Sequence, residues 1–218
     1  SGHSSIGQTP IADWGTPGQK QRYLRRSSRG DTILAFALTE PEAGSNPREM
    51  QMTYRLDGDR FLLNGVKYLI SNGGIADFYT VFARTGTQEQ RASGISAFLV
   101  PMESQGVSTS RFEDSGQRAI GRGSIFFDNV RVPESAILGG PDRINQGFRT
   151  AMKVLDRGRI HVGAMAVGQG QRMLDIATDY ALERRQFGKP IGEHQLVQGM
   201  IADCQAELQA ARALVRAT

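Results

Sequence analysis

Between residues 32 and about 138 the apolar positions fall in short runs separated by Gly, Asp and Asn. Met50–Tyr54 and Phe61–Leu63 alternate on either side of Asp57-Gly58-Asp59, which reads as a hairpin turn. Asn64-Gly65 reads as a second turn that leads into a strand over Val66–Ile70. Phe78–Arg84, Ile95–Val100, Ser124–Phe127 and Val130–Val132 follow as further strands. Short strands with no helical period between them predict a compact antiparallel barrel or sandwich.

Near Asn145 the period changes. Phe148, Met152 and Leu155 share one face of a helix, and the pattern continues through Ala164, Val167, Leu174 and Ala177 to Leu182. Gly158, Gly163, Gly168 and Gly170 lie inside it, each costing up to about 1 kcal/mol against Ala unless close helix contact compensates. Gly188 and Pro190 end this element. A second helix is predicted from about Glu193 to Arg216, with Leu196, Met200, Cys204, Leu208, Ala211 and Val215 facing inward. Two such helices cannot cover their own apolar faces and call for partner helices. At the other end, one short helix is expected from about Pro17 to Arg26, with Thr16-Pro17 as N-cap and first position and Gly30 as its stop.

Composition changes this picture little. The 218 residues are 39% hydrophobic and 22% charged, which is ordinary for a globular protein with a substantial core. No apolar run approaches a membrane span. The net charge of +4 comes without a run of five basic residues, so nucleic acid is not the expected partner. Arg22, Arg25, Arg26 and Arg29 form the densest basic cluster and read as a solvated helix end; anionic small ligands are a second explanation of the charge. Cys204 is the only cysteine, which excludes an intramolecular disulfide, and its apolar helical setting predicts a buried thiol. His3, His161 and His194 have no metal-ligand spacing, and no metal is expected.

The densest chemistry lies in Ala35-Phe36-Ala37-Leu38-Thr39-Glu40-Pro41-Glu42-Ala43-Gly44-Ser45-Asn46. An apolar run suited to a buried strand breaks at Thr-Glu-Pro and closes in a Gly-Ser-Asn turn. Such a turn can offer hydroxyls and free N–H groups to a ring carbonyl or a pyrophosphate. It can equally do no more than reverse the chain.

Two later blocks bear on that choice: Asn64-Gly65-Val66-Lys67-Tyr68-Leu69-Ile70-Ser71-Asn72-Gly73 and Glu183-Arg184-Arg185-Gln186-Phe187-Gly188-Lys189-Pro190. With the first, and in this order, they resemble the acyl-CoA dehydrogenase family of flavoproteins, whose patterns run roughly L-T-E-P-x-A-G-S-D, N-G-x-K-x-W-I-T-N-G and E-R-x-x-F-G. Phe127-Asp128-Asn129-Val130-Arg131-Val132-Pro133 and Leu155-Asp156-Arg157-Gly158-Arg159 also match, so the resemblance covers essentially the whole chain.

The resemblance implies an α+β fold: a central antiparallel β-barrel or sandwich, followed by long helices of a C-terminal bundle and preceded by the end of an N-terminal helical domain. Residues 1–31, 32–143 and 144–218 would fall to these three parts. It implies FAD as cofactor, an acyl-CoA thioester as substrate, α,β-dehydrogenation in fatty acid metabolism, and electrons passed to an electron-transfer flavoprotein. Phe36, Leu38, Thr39, Gly44, Ser45, Leu69, Ile70 and Ser71 would contact the flavin cofactor. Arg184, Gln186 and Phe187 would reach the FAD of a neighbouring subunit in a homo-oligomer, a dimer or tetramer built through the C-terminal helices. Ser45, Thr85, Asp156 and Arg159 would serve the substrate. Local readings stand beside these: Ser71 as a turn cap, Arg184 as a cation at a helix C-terminus, and Asp156 with Arg159 as an i,i+3 salt bridge.

This sequence departs from the family at three places. Leu69 replaces a frequent tryptophan, Ser71 a threonine, and Asn46 an aspartate. The catalytic glutamate is expected in sequence beyond Thr218; its alternative position, used by a minority of the family, is held here by Gly158. The chain is therefore read as a fragment without its base, cytoplasmic in a bacterium or in the mitochondrial matrix of a eukaryote, and not secreted. A flavin oxidase or monooxygenase of the same fold is the next reading, and a non-catalytic binding scaffold the third.

Overall fold

The computed structural model describes residues 2–85 and 92–218. They form two compact units, Ser1–Arg157 and Gly158–Thr218.

The first unit opens with a helical lead-in: a π-turn at His3–Gly7, α1 (Thr9–Trp14), and α2 (Pro17–Gln19), which continues through a π-turn at Lys20–Leu24 into α3 (Arg25–Ser27). The predicted N-cap forms. The Gln19 N–H donates to Thr16 Oγ1 at 3.2 Å, and the Thr16 N–H donates to Gln19 Oε1 at 3.1 Å, a reciprocal capping box. The Gln19 amide is buried and also donates to the carbonyls of Ser135 and Ile137, at 3.0 and 2.7 Å. The cap thus ties the lead-in to the sheet. Thr16→Ala is expected to cost about 1 kcal/mol of unfolding free energy, read as a lowered urea midpoint with unchanged slope. Arg22, Arg25, Arg26 and Arg29 are all exposed, as expected of a solvated helix end.

Seven strands build one curled sheet: β1 (Leu34–Ala37), β2 (Thr53–Asp57), β3 (Arg60–Ile70), β4 (Phe78–Arg84), β5 (Ile95–Pro101), β6 (Val107–Arg111) and β7 (Gly123–Pro133). Their order is β1-β4-β2-β3-β7-β6, with β5 on the other side of β4. The β2–β3, β3–β7, β6–β7 and β4–β5 pairs are antiparallel. β1 lies parallel to β4, and β2 meets β4 only at Thr53 opposite Arg84, where the sheet curls over. The barrel-like expectation holds with that parallel pair as its amendment.

Two local expectations change. Asn64-Gly65 is not a turn but a bulge inside β3, where the register against β7 shifts between Leu63 and Gly65. Gly65 has φ 146, and a Cβ there would lie 2.8 Å from Met52, so backbone and neighbour both require glycine. Ser124–Phe127 and Val130–Val132 are one strand, bent at Asn129 with φ 53. The two irregularities lock together, because the Asn129 N–H donates to Asn64 Oδ1 at 2.8 Å. β6 was not expected; its Val-Ser-Thr-Ser-Arg sequence is too polar to read as a strand.

Period-2 alternation divides the core between the two faces of the sheet. Ala35 and Ala37 join Met52, Tyr54, Leu63, Tyr79, Phe98 and Ile125 on one face. Leu34, Phe36 and Leu38 join Ile11, Tyr23, Phe82, Leu99 and Leu138 on the other, with Ala151 and Val154 from the first turns of α4 (Gly147–Glu183).

The second unit holds the remainder of α4, a hairpin of β8 (Arg185–Gln186) and β9 (Lys189–Pro190), and α5 (Gln195–Ala217). Phe187 and Gly188 form the two-residue turn with φ 51 and 80, the left-handed pair that such a hairpin requires. A Cβ at Gly170 would sit 3.0 Å from Leu208, and one at Gly163 3.2 Å from Val215. Those glycines permit the close helix approach that offsets their low helix propensity. The inward face expected of α5 is not buried: Leu196, Met200, Cys204 and Ala211 are exposed, and Leu208 and Val215 are half-buried. One helix neighbour covers only a narrow stripe of a helix, so the thiol expected to be buried is open. Arg159 is exposed as well.

Candidate functional site

The site forms where β1 runs out beside the end of β3. Leu38 is still buried, and the next residues turn away from the sheet. The turn is closed by reciprocal backbone hydrogen bonds between Glu40 and Ala43, both at 3.2 Å. It is anchored from below by an ion pair that sequence reading did not single out. Lys67, wholly enclosed on β3, places Nζ 2.7 Å from Glu40 Oε1, and Glu40 is itself only 3% exposed. Lys67 Nζ also donates to the Leu38 carbonyl at 3.1 Å. The carboxylate accepts the Gln51 N–H at 2.5 Å and the Met52 N–H at 3.1 Å. One pair therefore fixes the end of β1, the start of β2 and the middle of β3. Burial pushes the Lys67 ammonium down, to about 8, and the Glu40 charge acts against that fall. Only the alternating apolar frame around Lys67 hinted at its burial.

β3 then departs from regular geometry at the position of interest. The Tyr68 N–H donates to the Thr39 carbonyl at 2.8 Å, holding the turn against the strand. The register against β7 shifts between Lys67 and Ile70. Leu69 takes φ 57, sparsely populated for a leucine, and presents a side chain that is 44% exposed. Ile70 returns to the core. Ser71 opens a turn that closes without it: Gly73 N–H to Ile70 O at 2.9 Å, Ile75 N–H to Asn72 O at 3.0 Å, and Ala76 N–H to Asn72 O at 2.8 Å. No hydrogen bond from the Ser71 side chain contributes to this turn. Its hydroxyl and that of Thr39 have no hydrogen-bond partner among the described residues.

Ser71 lines a cleft of about 330 Å³ with Asp114, Gly116, Gln117, Ile120 and Arg122. The loop that forms the far wall also went unforeseen, although its left-handed Gln117 and Gly121, with φ 53 and 62, have a recognisable turn composition. It is tied to the Ser71 turn by Asn72 N–H to Ile120 O and Gly74 N–H to Gly121 O, both at 3.1 Å. It is braced by the Arg122–Asp114 ion pair. Tyr68 packs edge-on against Phe112 at 5.3 Å.

The Tyr68–Thr39 bond joins the Leu38-Thr39 segment after β1 to the segment that carries Leu69, Ile70 and Ser71. Phe36 lies deeper, against Phe82 at 4.8 Å. Gly44 and Ser45 are exposed on the turn, with open space around Gly44. Thr85 follows the far end of β4, its N–H donating to the Gly94 carbonyl at 2.9 Å. Asp156 is exposed in the first unit. Gly158, Arg159, Arg184, Gln186 and Phe187 belong to the second. Arg184 follows α4 directly, its N–H bonded to the Tyr180 carbonyl at 2.9 Å, and its side chain is exposed. Phe187, at the tip of the hairpin, is 93% exposed.

Two unpartnered hydroxyls, the exposed Gly44-Ser45 tip of the turn and the 44% exposed Leu69 side chain suit a ligand with both polar and apolar edges. Among the described residues no group of three or more His, Cys, Asp or Glu side chains is placed to hold a metal ion. No described helix is long and apolar enough to cross a membrane.

Comparison with known proteins bears on what such a ligand would be. The pattern of the acyl-CoA dehydrogenase middle domain matches residues 35–130, and that of the acyl-CoA dehydrogenase C-terminal domain matches residues 145–218. A 3-(aryl)acrylate reductase of Clostridium sporogenes is 41% identical over 99% of this chain and 56% of its own length. Butyryl-CoA dehydrogenase of Megasphaera elsdenii superposes with a TM-score of 0.93 at 35% identity, over 99% of this chain and 56% of that one. A chain from the structure of the electron transferring flavoprotein of Acidaminococcus fermentans superposes with a TM-score of 0.93 at 40% identity, over 99% and 56%. The chain spans about half the length of the curated relatives it matches.

Proposed function

Because this chain belongs to the acyl-CoA dehydrogenase family, we propose that it binds FAD and serves the α,β-dehydrogenation of an acyl-CoA thioester, with electrons passed to an electron-transfer flavoprotein. The observation that carries this reading is the pair of hydroxyls without a partner among the described residues: Thr39, on the turn anchored by the buried Glu40–Lys67 pair, and Ser71, just beyond Tyr68, whose N–H donates to the Thr39 carbonyl.

Bound FAD supplies the redox chemistry, and the protein supplies binding, orientation and electrostatics. Leu38 and Thr39 would offer a backbone N–H and a hydroxyl to the pyrimidine side of the flavin, and Ser71 would offer its hydroxyl to N5. Leu69, Ile70 and Phe36 provide the apolar surround, and Gly44 with Ser45 leaves room for a pyrophosphate or the CoA arm. Ser45, Thr85, Asp156 and Arg159 are assigned to the substrate. Gly158 has no side chain to take a proton, so no residue of this chain is assigned that step. Residues 1–31 are assigned to the end of a helical domain, 32–143 to the β-domain and 144–218 to a helical bundle. The protein is placed in the bacterial cytoplasm or, in a eukaryote, the mitochondrial matrix.

Thr39→Val tests the cofactor reading, since it keeps the volume and the β-branch and removes one donor. It is expected to weaken FAD affinity roughly fivefold, about 1 kcal/mol, with an unchanged melting temperature of the apoprotein. Equal affinity would count against the site.

Arg184, Gln186 and Phe187 are assigned to the FAD of a neighbouring subunit. An aromatic ring left 93% exposed at a hairpin tip fits a contact made between copies. Arg184→Ala is expected to lower flavin content and oligomer stability together, by about 1.5–3 kcal/mol for a charge-assisted bond. Size exclusion and the flavin-to-protein absorbance ratio of the full-length protein measure both. A full flavin complement in an unchanged oligomer would contradict the assignment.

A further inference from the structure

The Glu40–Lys67 pair asks for an explanation beyond stability. Buried ion pairs are commonly matched or bettered by apolar residues of similar volume, because desolvation offsets their attraction. This pair is also oriented. Its ammonium end meets the Leu38 carbonyl at 3.1 Å, and its carboxylate end meets the Gln51 and Met52 N–H groups on β2. The Leu38 carbonyl belongs to the same peptide as the Thr39 N–H, and that N–H has no backbone acceptor among the described residues. Donation to a carbonyl strengthens the N–H of its own amide as a donor, since hydrogen bonds in a chain polarise one another. The carbonyl on the other side of Thr39 is held by Tyr68 at 2.8 Å, so both peptides flanking the residue are fixed. With Lys67 wholly enclosed, the positive end of the pair acts through a medium of low dielectric.

We infer that Lys67 is a positioning residue that raises the reduction potential of the flavin by polarising the Leu38–Thr39 peptide, whose N–H then stabilises negative charge at the pyrimidine edge of the ring. The inference rests on the FAD reading above. It assigns the role to a side chain that touches no ligand and acts through one peptide bond. Glu40 keeps Lys67 charged and aims it, while its own charge is turned toward β2.

The test is a spectroelectrochemical titration of the full-length, FAD-loaded protein. Lys67→Gln retains a donor for the Leu38 carbonyl and removes the charge. Glu40→Gln/Lys67→Met removes both charges and leaves no unpaired ion. Gln19→Met, which deletes the buried bonds from α2 to Ser135 and Ile137, is a control for general loss of stability. In both Lys67 variants the ratio of reduced to oxidised flavin at a fixed potential should fall about tenfold, a shift of about 30 mV for a two-electron couple. The control should melt earlier at an unchanged potential. Potentials within twofold of the wild-type ratio in the Lys67 variants would overturn the inference, as would an equal fall in the control. Folded Lys67 variants that hold no flavin would overturn it too, because tuning requires a site that survives loss of the charge. A wild-type protein that binds no FAD would overturn the cofactor reading and this inference with it, and so separates the two failures.

Discussion

Lys67→Met is expected to lower the unfolding free energy of the protein by about 3–5 kcal/mol, the range for breaking one side of a buried pair. The loss is large because of what remains. Glu40, 3% exposed, keeps the Gln51 and Met52 N–H groups but loses its counter-ion at 2.7 Å. A carboxylate left alone there must either stay charged in an apolar surround or take up a proton, and both destabilise the fold. The Leu38 carbonyl loses its buried donor as well. Urea unfolding followed by the fluorescence of Trp14, the single tryptophan, would show the midpoint fall. Glu40→Gln/Lys67→Met should recover most of the loss, since it leaves no unpaired charge. A double variant as unstable as Lys67→Met would show that packing around the lysine stem, and not the charge pair, holds the end of β1.

Ser71→Ala is expected to leave stability nearly untouched and to slow flavin reduction in the full-length enzyme by up to about 10²-fold, the scale for one preorganised donor at a reacting centre. The turn around Ser71 is closed by backbone groups and by Asn72, so the hydroxyl contributes nothing to it. Acyl-CoA affinity should change less than the rate, because the bond is assigned to the cofactor. Ser71→Thr should be tolerated: it keeps the hydroxyl, and a β-branch suits the end of a strand. Stopped-flow reduction and thermal unfolding of the same variant give the two readouts. An unchanged rate with a lowered melting temperature would remove Ser71 from the site.

Features set by local physics are legible in the sequence, and those set by distant partners are not. The Asp57-Gly58-Asp59 hairpin and the Thr16 cap are set by neighbouring residues, and both are visible in the sequence. The bulge at Asn64-Gly65 imitates a turn, because Asn-Gly favours left-handed backbone wherever it occurs; only the register with β7 distinguishes the two. β6 pairs with β7 along its whole length, yet its alternation is polar, so hydrophobicity gives no signal for it. Lys67 is the clearest case. A lysine is ordinarily exposed, and this one is enclosed through a partner 27 residues away, a distance at which no periodicity speaks. Thr39, Leu69 and Ser71 stand out through resemblance to a family. What the fold adds is that the residue after β1 is hydrogen-bonded to β3 through the Tyr68 N–H and the Thr39 carbonyl, with the Thr39 and Ser71 hydroxyls left unused. On α5 the apolar spacing correctly marks a helix face, but burial of that face depends on what packs against it, which spacing does not contain.

Thr39 and Ser71 are proposed to hold the ring of a redox-active flavin beside an acyl-CoA. Anaerobic titration of the full-length, FAD-loaded protein with straight-chain acyl-CoA thioesters of increasing length tests it most directly. At least one of them is expected to bleach the oxidised flavin band, with the matching enoyl-CoA formed in equal amount. A protein that holds no flavin, or one whose flavin stays oxidised with every thioester, would contradict it.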